Sequence, residues 1–494
     1  MKQSRRGSKD FKVTYFARRY DKQTGKYVYD VRYETVTEVT PRTLDVSEAF
    51  GLGIDETKEY VIYDNFEMQL SPHDIVYITG ESGSGKSVLL RELEKDLGSE
   101  KVTNITEVTT DPDRPLVEQV GKDTNESLML LSLVGLGDAW LFIKRYRELS
   151  DGQKYRFRLA KAIESGKQYW LADEFCATLD RDTAKIVAFN VQKHARRLGK
   201  AVIAATTHTD LFEDLKPSVH VHKGLGREVE VNYYPNKINR ECSILREMKI
   251  GEGTLKDYAA LAEYHYRATH TRLPVKRVFT LKRGRQLAGA IVYQPPAPAT
   301  QGRSRVLGRR LTLNEANKLL TKISRVVVHP KFRSIGAGAK IVRETLPVCG
   351  KPYVETVAVM AQYNPFFEKA GMRRILTTQP NIGVANAVKK LESLGFNTPY
   401  LSSERMNLQK LKGLSSQQIE RVRAAIHCVE GPARKRIATG RRSWYKHDEY
   451  TRKIDEASLP HLARMLSTLA VLSQPKIYLF WFDPGNNPLG IRQE

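Results

Sequence analysis

The sequence predicts an α/β protein built from two successive strand–turn–helix units with a mixed C-terminal extension. Three observations carry that expectation. An apolar run at 75–79 leads through a glycine-rich turn into an amphipathic helix. A second strand candidate at 324–330, centred on three valines, does the same through another glycine-rich turn. Around both, short apolar strands alternate with stretches of helical period, the pattern of layered α/β domains.

The elements follow in order. Residues 1–45 alternate aromatic and polar side chains, as in FKVTYFARRYDKQTGKYVYDVRYETV. That alternation predicts a β-hairpin turning at Thr24-Gly25. Residues 46–245 hold the first α/β pattern, and the apolar pattern weakens around Gly251 and Gly253, where a junction is expected. Residues 257–400 form the second α/β unit. It contains a Pro-rich loop, QPPAPATQGRSR (294–305), expected to be mobile and solvated. Residues 401–494 read as a basic helical extension, with a Ser-x-x-Gln helix start in LSSQQIERVRAAI. They end in an aromatic strand candidate, KIYLFWF (476–482). The sequence shows no internal repeat.

Length and composition bound the class. A chain of 494 residues suggests roughly three domains. Its 41% hydrophobic and 28% charged residues fit a globular chain. No apolar stretch reaches the length of a membrane span. The N-terminus, MKQSRRGSKDFK, is basic with no apolar segment behind it, unlike a secretory signal. Cys176, Cys242, Cys349 and Cys428 are scattered without metal-ligand spacing, so a reducing cytoplasm is the expected compartment. Charge is uneven: residues 1–250 hold 39 Lys/Arg and 39 Asp/Glu, so 251–494 carry the whole excess of +24, with 41 basic against 17 acidic residues. An excess concentrated in this way points to a polyanion, and nucleic acid is the expected partner of residues 251–494.

The first glycine-rich turn, Gly80-Glu-Ser-Gly83-Ser-Gly85-Lys86-Ser87, has the P-loop pattern between its strand and helix. Its glycines let backbone N–H groups curl around phosphates at a helix N-terminus. Lys86 would neutralise the β- and γ-phosphates of ATP, and Ser87 would ligate Mg²⁺. A later strand, Gln168-Tyr-Trp-Leu-Ala, ends in paired carboxylates. Asp173 would hold the Mg²⁺ shell, and Glu174 would polarise the attacking water as general base. Leu149-Ser150-Asp151-Gly152-Gln153 opens a helix upstream of that strand. Ala177-Thr-Leu-Asp180 follows it, and His208 comes after the strand AVIAATT.

That ordered set resembles the ABC ATPase superfamily over residues 46–235. GESGSGKS resembles its Walker A motif, YWLADE its Walker B and LSDGQ its signature. ATLD resembles its D-loop, and His208 its switch histidine. The resemblance implies a head-to-tail dimer in which Ser150, Gly152 and Gln153 of one subunit close on ATP held by the other, so one such domain per chain implies a homodimer or a partner with a second domain. Asp151 stands where the signature usually has its middle glycine. Ser150 follows Lys86 by only 64 residues, leaving a short helical subdomain that disfavours a transporter role. Gln119 is the candidate Q-loop residue, and Tyr60 or Tyr63 the candidate adenine-stacking aromatic.

The second turn runs from the strand Ser324-Arg-Val-Val327-Val328-His329-Pro330 through Arg333-x-x-Gly336-x-Gly338 into AKIVRETL. Glycines at a helix start make another anion cradle. This stretch, with YVETVAVM and YNPFFEKAGM later on, resembles the GNAT acyltransferase superfamily. The resemblance implies acetyl-CoA or a related acyl-CoA, its pyrophosphate on Arg333, Gly336 and Gly338 and its thioester beside the backbone of Val327 and Val328. Phe367 stands where that superfamily often has a tyrosine acid, and Tyr363 lies about one helical turn away. Glu355 and His329 are candidate bases. Tyr264-His265-Tyr266, Pro274 and the strand SRVVV resemble the GNAT-like Mom family of DNA-modifying proteins. The combined expectation is an ATP-hydrolysing ABC-class protein fused to a GNAT-type N-acyltransferase that modifies a nucleic-acid base. Two other readings stay open: an ABC-dimer nucleic-acid clamp with a non-catalytic GNAT-like module, and a transporter-associated ATPase.

Overall fold

Aromatic alternation near the N-terminus gives the first sheet. β1 (Phe11–Asp21) and β2 (Lys26–Thr35) pair antiparallel, and Gly25 in their turn has φ +66°, open to glycine without a Cβ penalty. β3 (Glu59–Gln69) pairs with β2 and extends the hairpin to three strands. The helix Pro41–Phe50 between them is capped by Thr40 and buries none of its residues. These elements belong to a computed structural model. It describes residues 11–35, 38–53, 58–264, 274–298, 300, 302–362, 364–431, 433–438 and 446–490.

The second sheet is built from β4 (Ile75–Gly80), β5 (Val102–Asn104), β6 (Tyr169–Ala172), β7 (Ala201–Thr206), β8 (Val219–Lys223) and β9 (Val229–Tyr233). Their order is β5-β6-β7-β4-β8-β9, parallel except for β9. β4, β6 and β7 are buried along their whole length, which is why they read as unbroken apolar runs. Ile75 and Tyr77 share one core with the helices Asp151–Glu164 and Arg181–Leu198. Val76 and Ile78 share the other with the helix Lys86–Leu97 and with Tyr29, Tyr63 and Phe66 of the three-stranded sheet.

The chain divides into two compact units. One comprises Met1–His270, Phe279–Ala290 and Val327–Gly338, the other Thr271–Val278, Ile291–Val326 and Ala339–Glu494. β10 (Lys249–Gly253) lies in the first. β11 (Arg277–Arg283), β12 (Gln286–Gln294) and β13 (Leu320–Val328) each contribute residues to both. β14 (Tyr353–Ala358), β15 (Arg373–Thr378) and β16 (Lys476–Phe482) lie in the second.

Within the second unit the strand order is β13-β14-β16-β15. β13 and β14 are parallel, and their ladder covers Leu320–Lys322 against Tyr353–Glu355. β16 runs antiparallel between β14 and β15, so the aromatic strand at the C-terminal end completes this sheet. The helices Ile382–Ser393, Glu404–Lys412, Ser416–His427, His447–Asp455 and Leu459–Leu472 close a separate core around Leu411, Ile426, Tyr450 and Leu466.

The expectation of a mobile, solvated loop at 294–305 needs correction. Arg303 is buried, donates to Ala297 O and Pro298 O, and meets the Glu355 carboxylate at 2.6 Å. Among the described residues of this loop, Ala297 and Pro298 are therefore held from inside by Arg303. No helix among the described residues is long and apolar enough to cross a membrane.

Candidate functional site

β4, β6 and β7 end at the same edge of their sheet. Ala172 lies beside Ala204, and Thr206 beside Thr79. Gly80–Ser87, Asp173, Glu174 and His208 follow directly on those ends. They gather at the C-terminal edge, where parallel α/β sheets place their ligands.

Glycine is required in the turn for two separate reasons. Gly80, Gly83 and Gly85 have φ of +148°, +77° and +106°. A Cβ at Gly80 would also stand 2.0 Å from Lys223 O, and one at Gly85 2.3 Å from Ile62 Cγ2. The Lys86 ammonium donates to Gly80 O at 3.0 Å and Glu81 O at 2.6 Å, so its acceptors are the loop's own carbonyls. Burial lowers its pKa, and the Asp173 carboxylate works against that shift. Ser84 Oγ is buried with no hydrogen-bond partner among the described residues. A polyphosphate fits these groups, since its oxygens would satisfy both the ammonium and the orphan hydroxyl. Ser87 is exposed at the start of the helix and Asp173 is half-buried. Together they fit a Mg²⁺ that keeps water and phosphate ligands. Such an ion needs no all-protein cage, and no group of three or more His, Cys, Asp or Glu able to hold a metal occurs among the described residues.

The two aromatic candidates separate. Tyr63 is fully buried, and its phenol donates to Gly85 O at 3.0 Å, a strut beneath the loop. Tyr60 is exposed.

Glu174 is held out from the strand end. Its φ is +48°, a region that costs a non-glycine residue energy, and strain of this kind clusters at functional sites. Its N–H donates to Asp173 Oδ1 at 2.9 Å, and its side chain is exposed. His208 is half-buried, with its carbonyl accepting from the Tyr77 phenol.

Ser150 caps the helix Asp151–Glu164 by a reciprocal box with Gln153: Gln153 N donates to Ser150 Oγ, and Ser150 N to Gln153 Oε1. Gln153 is thereby spent on the cap. Gly152 faces the D-loop, where a Cβ would lie 3.1 Å from Leu179 Cδ2. Tyr155, on the same helix, accepts from Cys176 N at 3.0 Å. Signature helix and carboxylate turn are thus directly joined. Nothing in the local sequence marks Tyr155 for that task.

Three candidate residues are already engaged elsewhere in the structure. Gln119 accepts from Asp111 N at 2.9 Å and donates to Asp111 O at 2.9 Å and Arg114 O at 2.7 Å. Its amide pins the 111–114 turn and is not available as a Q-loop sensor. Arg333 donates to Val328 O at 3.1 Å, Gly137 O at 2.7 Å and Tyr264 O at 2.8 Å. All three guanidinium nitrogens are occupied, and Asp138 adds a carboxylate at 3.4 Å. Gly336 has φ +98° and would place a Cβ 3.6 Å from Leu245. The turn holding Gly336 and Gly338 belongs to the first unit, and its arginine is already committed to backbone carbonyls rather than free for a CoA pyrophosphate. Val327 is buried at the end of β13, with half-buried Val328 beside it. Glu355 is fully buried and bound by Arg303, Tyr478 and Thr300, which removes it as a base. Phe367 is buried. His265, Tyr266 and Tyr363 lie outside the described residues.

Lys331 carries no motif that singles it out in the sequence. It stands 2.7 Å from Asp180 and 2.9 Å from Asp182. No local pattern announces a partner about 150 residues earlier in the chain.

No protein-family model matches the chain. Among curated proteins it is similar to the methionine import ATP-binding protein MetN of Corynebacterium glutamicum, 26% identical over 204 residues, 34% of this chain and 56% of the relative. The chain thus spans little more than half the length of that relative. It is also similar to the cytochrome c biogenesis ATP-binding export protein CcmA of Vibrio parahaemolyticus, 25% identical over 184 residues, 32% of this chain and 89% of the relative. Among solved structures, the dimeric structure of MJ0796, a bacterial ABC transporter cassette, matches with 18% identity over 35% of this chain and 91% of that one, at a TM-score of 0.29. The ordered motifs and the curated relatives together define the class: the first unit carries an ABC-type P-loop ATPase domain.

Proposed function

We propose that the chain binds Mg²⁺–ATP and hydrolyses it as a head-to-tail homodimer. The observation that carries this reading is the meeting of Gly80–Ser87, Asp173, Glu174 and His208 at one sheet edge. Bound Mg²⁺–ATP supplies the phosphoanhydride and part of the charge neutralisation its cleavage needs. Lys86 would hold the β- and γ-phosphate oxygens, and Ser87 and Asp173 would hold the metal. Glu174 would accept a proton from the attacking water, and His208 would serve as the switch histidine beside it. Ser150 and Gly152 sit at the N-terminus of a 14-residue helix, an anion-attracting end that would close on the ATP of the partner subunit. Tyr60 is the aromatic that would stack on the adenine.

The second half works, in this reading, as a basic module. An acyltransferase there keeps one supporting observation, the end of the β13–β14 ladder at Lys322 and Glu355, and is weakened by the commitment of Arg333 to backbone carbonyls. The excess of positive charge in 251–494 supports a nucleic-acid partner and a cytoplasmic clamp. The printed functions of the relatives, methionine import and cytochrome c biogenesis export, favour a second reading as a transporter-associated ATPase.

Lys86→Met tests the core of the proposal. Equilibrium binding of a fluorescent ATP analogue should weaken by at least about tenfold, as expected when one charge-assisted hydrogen bond of about 1.5–3 kcal/mol is removed. Undiminished binding would remove the P-loop from the site.

A further inference from the structure

β13 leads into the segment Val327–Gly338, and the helix Ala337–Thr345 leads out of it. The segment belongs to the first unit, although the chain on both sides belongs to the second. Three of its residues are anchored. Lys331 Nζ reaches Asp180 Oδ1 at 2.7 Å and Asp182 Oδ2 at 2.9 Å. Arg333 is held by Gly137, Asp138 and Tyr264. Ser334 Oγ accepts from Asn190 Nδ2 at 2.8 Å.

Asp180 is the hinge of this arrangement. It ends the D-loop and caps the helix Arg181–Leu198, accepting from Thr183 N at 3.2 Å and Thr183 Oγ1 at 2.6 Å. Asp182 is shared between Lys331 and Arg283 Nη1 at 2.6 Å, and Arg283 Nε also reaches Glu247 at 2.5 Å. Three carboxylates and two cations form one network. The run from Asp173 to Asp180 has non-glycine φ of +48° at Glu174 and +58° at Cys176. Backbone in that region persists only where its surroundings over-determine it. Here the outer supports are Tyr155 at Cys176, Gly152 at Leu179 and Lys331 at Asp180. Lys331 is the one of the three that comes from the second half of the sequence.

We propose that Lys331 is a positioning residue for ATP turnover: by holding Asp180 it sets the turn Ala177–Asp180 and the placement of Glu174, and makes turnover answer to the chain beyond residue 326. The proposal rests on the ATPase reading above. Burial resists ionisation of Asp180, but hydrogen bonds from Lys331 and Thr183 outweigh it and keep the carboxylate ionised below its usual range. Burial likewise acts against the Lys331 charge, and Asp180 and Asp182 overcome it. Both partners are charged across the neutral range, so the clip is closed at working pH.

Full-length wild type, Lys331→Met, Lys331→Arg and Ser334→Ala are compared by amide hydrogen exchange over 177–183 and by steady-state ATPase kinetics. Lys331→Met should exchange several-fold faster there, as expected when a local anchor is removed. Its kcat should fall about 10- to 100-fold, the scale of a small misplacement of a catalytic group, with KM nearly unchanged. Lys331→Arg should recover most of kcat, because a guanidinium can bridge the same two carboxylates. Ser334→Ala loosens the segment without touching the D-loop and should leave kcat near wild type. Unchanged exchange in Lys331→Met overturns the proposal, and so does an equal fall of kcat in Lys331→Met and Ser334→Ala. A wild type without ATPase activity would overturn the proposed function instead, while exchange would still decide whether Lys331 sets the D-loop.

Discussion

Arg303→Met would remove the only cation, among the described residues, within hydrogen-bond distance of a carboxylate that is fully buried. Glu355 has no exposed surface, and Arg303 meets it through Nε at 3.0 Å and Nη2 at 2.6 Å. Tyr478 and Thr300 donate to the same carboxylate, so its acceptor capacity is filled by neighbours that cannot neutralise it. Breaking one partner of such a pair costs about 3–5 kcal/mol, since the remaining charge is stranded. For a unit of this size each kcal/mol is worth roughly 2–4 °C, giving a fall in Tm of roughly 6–20 °C. Glu355→Gln should cost less, because a neutral amide still accepts from Tyr478, and the double variant should lie above Arg303→Met alone. Differential scanning calorimetry of the three variants provides the cycle. A Tm for Arg303→Met within about 2 °C of wild type would show that the pair does not pin the 294–305 loop, and would restore Glu355 as a free acid.

Two further outcomes follow from the second half of the chain. Calorimetry with CoA should show no binding to the wild-type protein, because the Arg333 nitrogens are already committed; tight binding abolished by Arg333→Ala would contradict this. Arg305, Arg309 and Arg310 are exposed, and their combined replacement by Ala should flatten the salt dependence of duplex binding, read by fluorescence anisotropy, by about 0.9 for each phosphate left without its arginine. A slope indifferent to the triple substitution would place the phosphate-binding surface elsewhere.

Local chemistry made much of this fold legible. The run 75–80 and the helix from Lys86 are marked by a buried strand and by glycines whose backbone only glycine adopts easily. The hairpin at Gly25 and the strand 476–482 follow from two-residue alternation and aromatic content. What the sequence concealed depends on long-range partners. Arg333 looked like a phosphate ligand because Arg-x-x-Gly-x-Gly describes a turn, and a turn does not reveal that Gly137 and Tyr264 lie within its reach. Gln119 carries the right chemistry for a sensor, but the Asp111–Arg114 turn folds onto it. Arg303 read as solvated because its neighbours are proline and glycine, while Glu355 lies 52 residues on. Polar side chains with several donors are the residues most easily misread in this way, since their function is decided by whichever acceptors arrive.

ATP hydrolysis from Glu174 inside a homodimer is tested most directly by one variant. Glu174→Gln keeps the Asp173 and Ser87 groups for Mg²⁺ while removing the base. ATP binding should persist, and turnover should fall about 10²- to 10⁴-fold, the range of a missing general base. With ATP and Mg²⁺, light scattering should show the 56.2 kDa chain at twice its mass, trapped as a dimer. A variant that turns over ATP at the wild-type rate, or stays monomeric while saturated with ATP, would contradict the account.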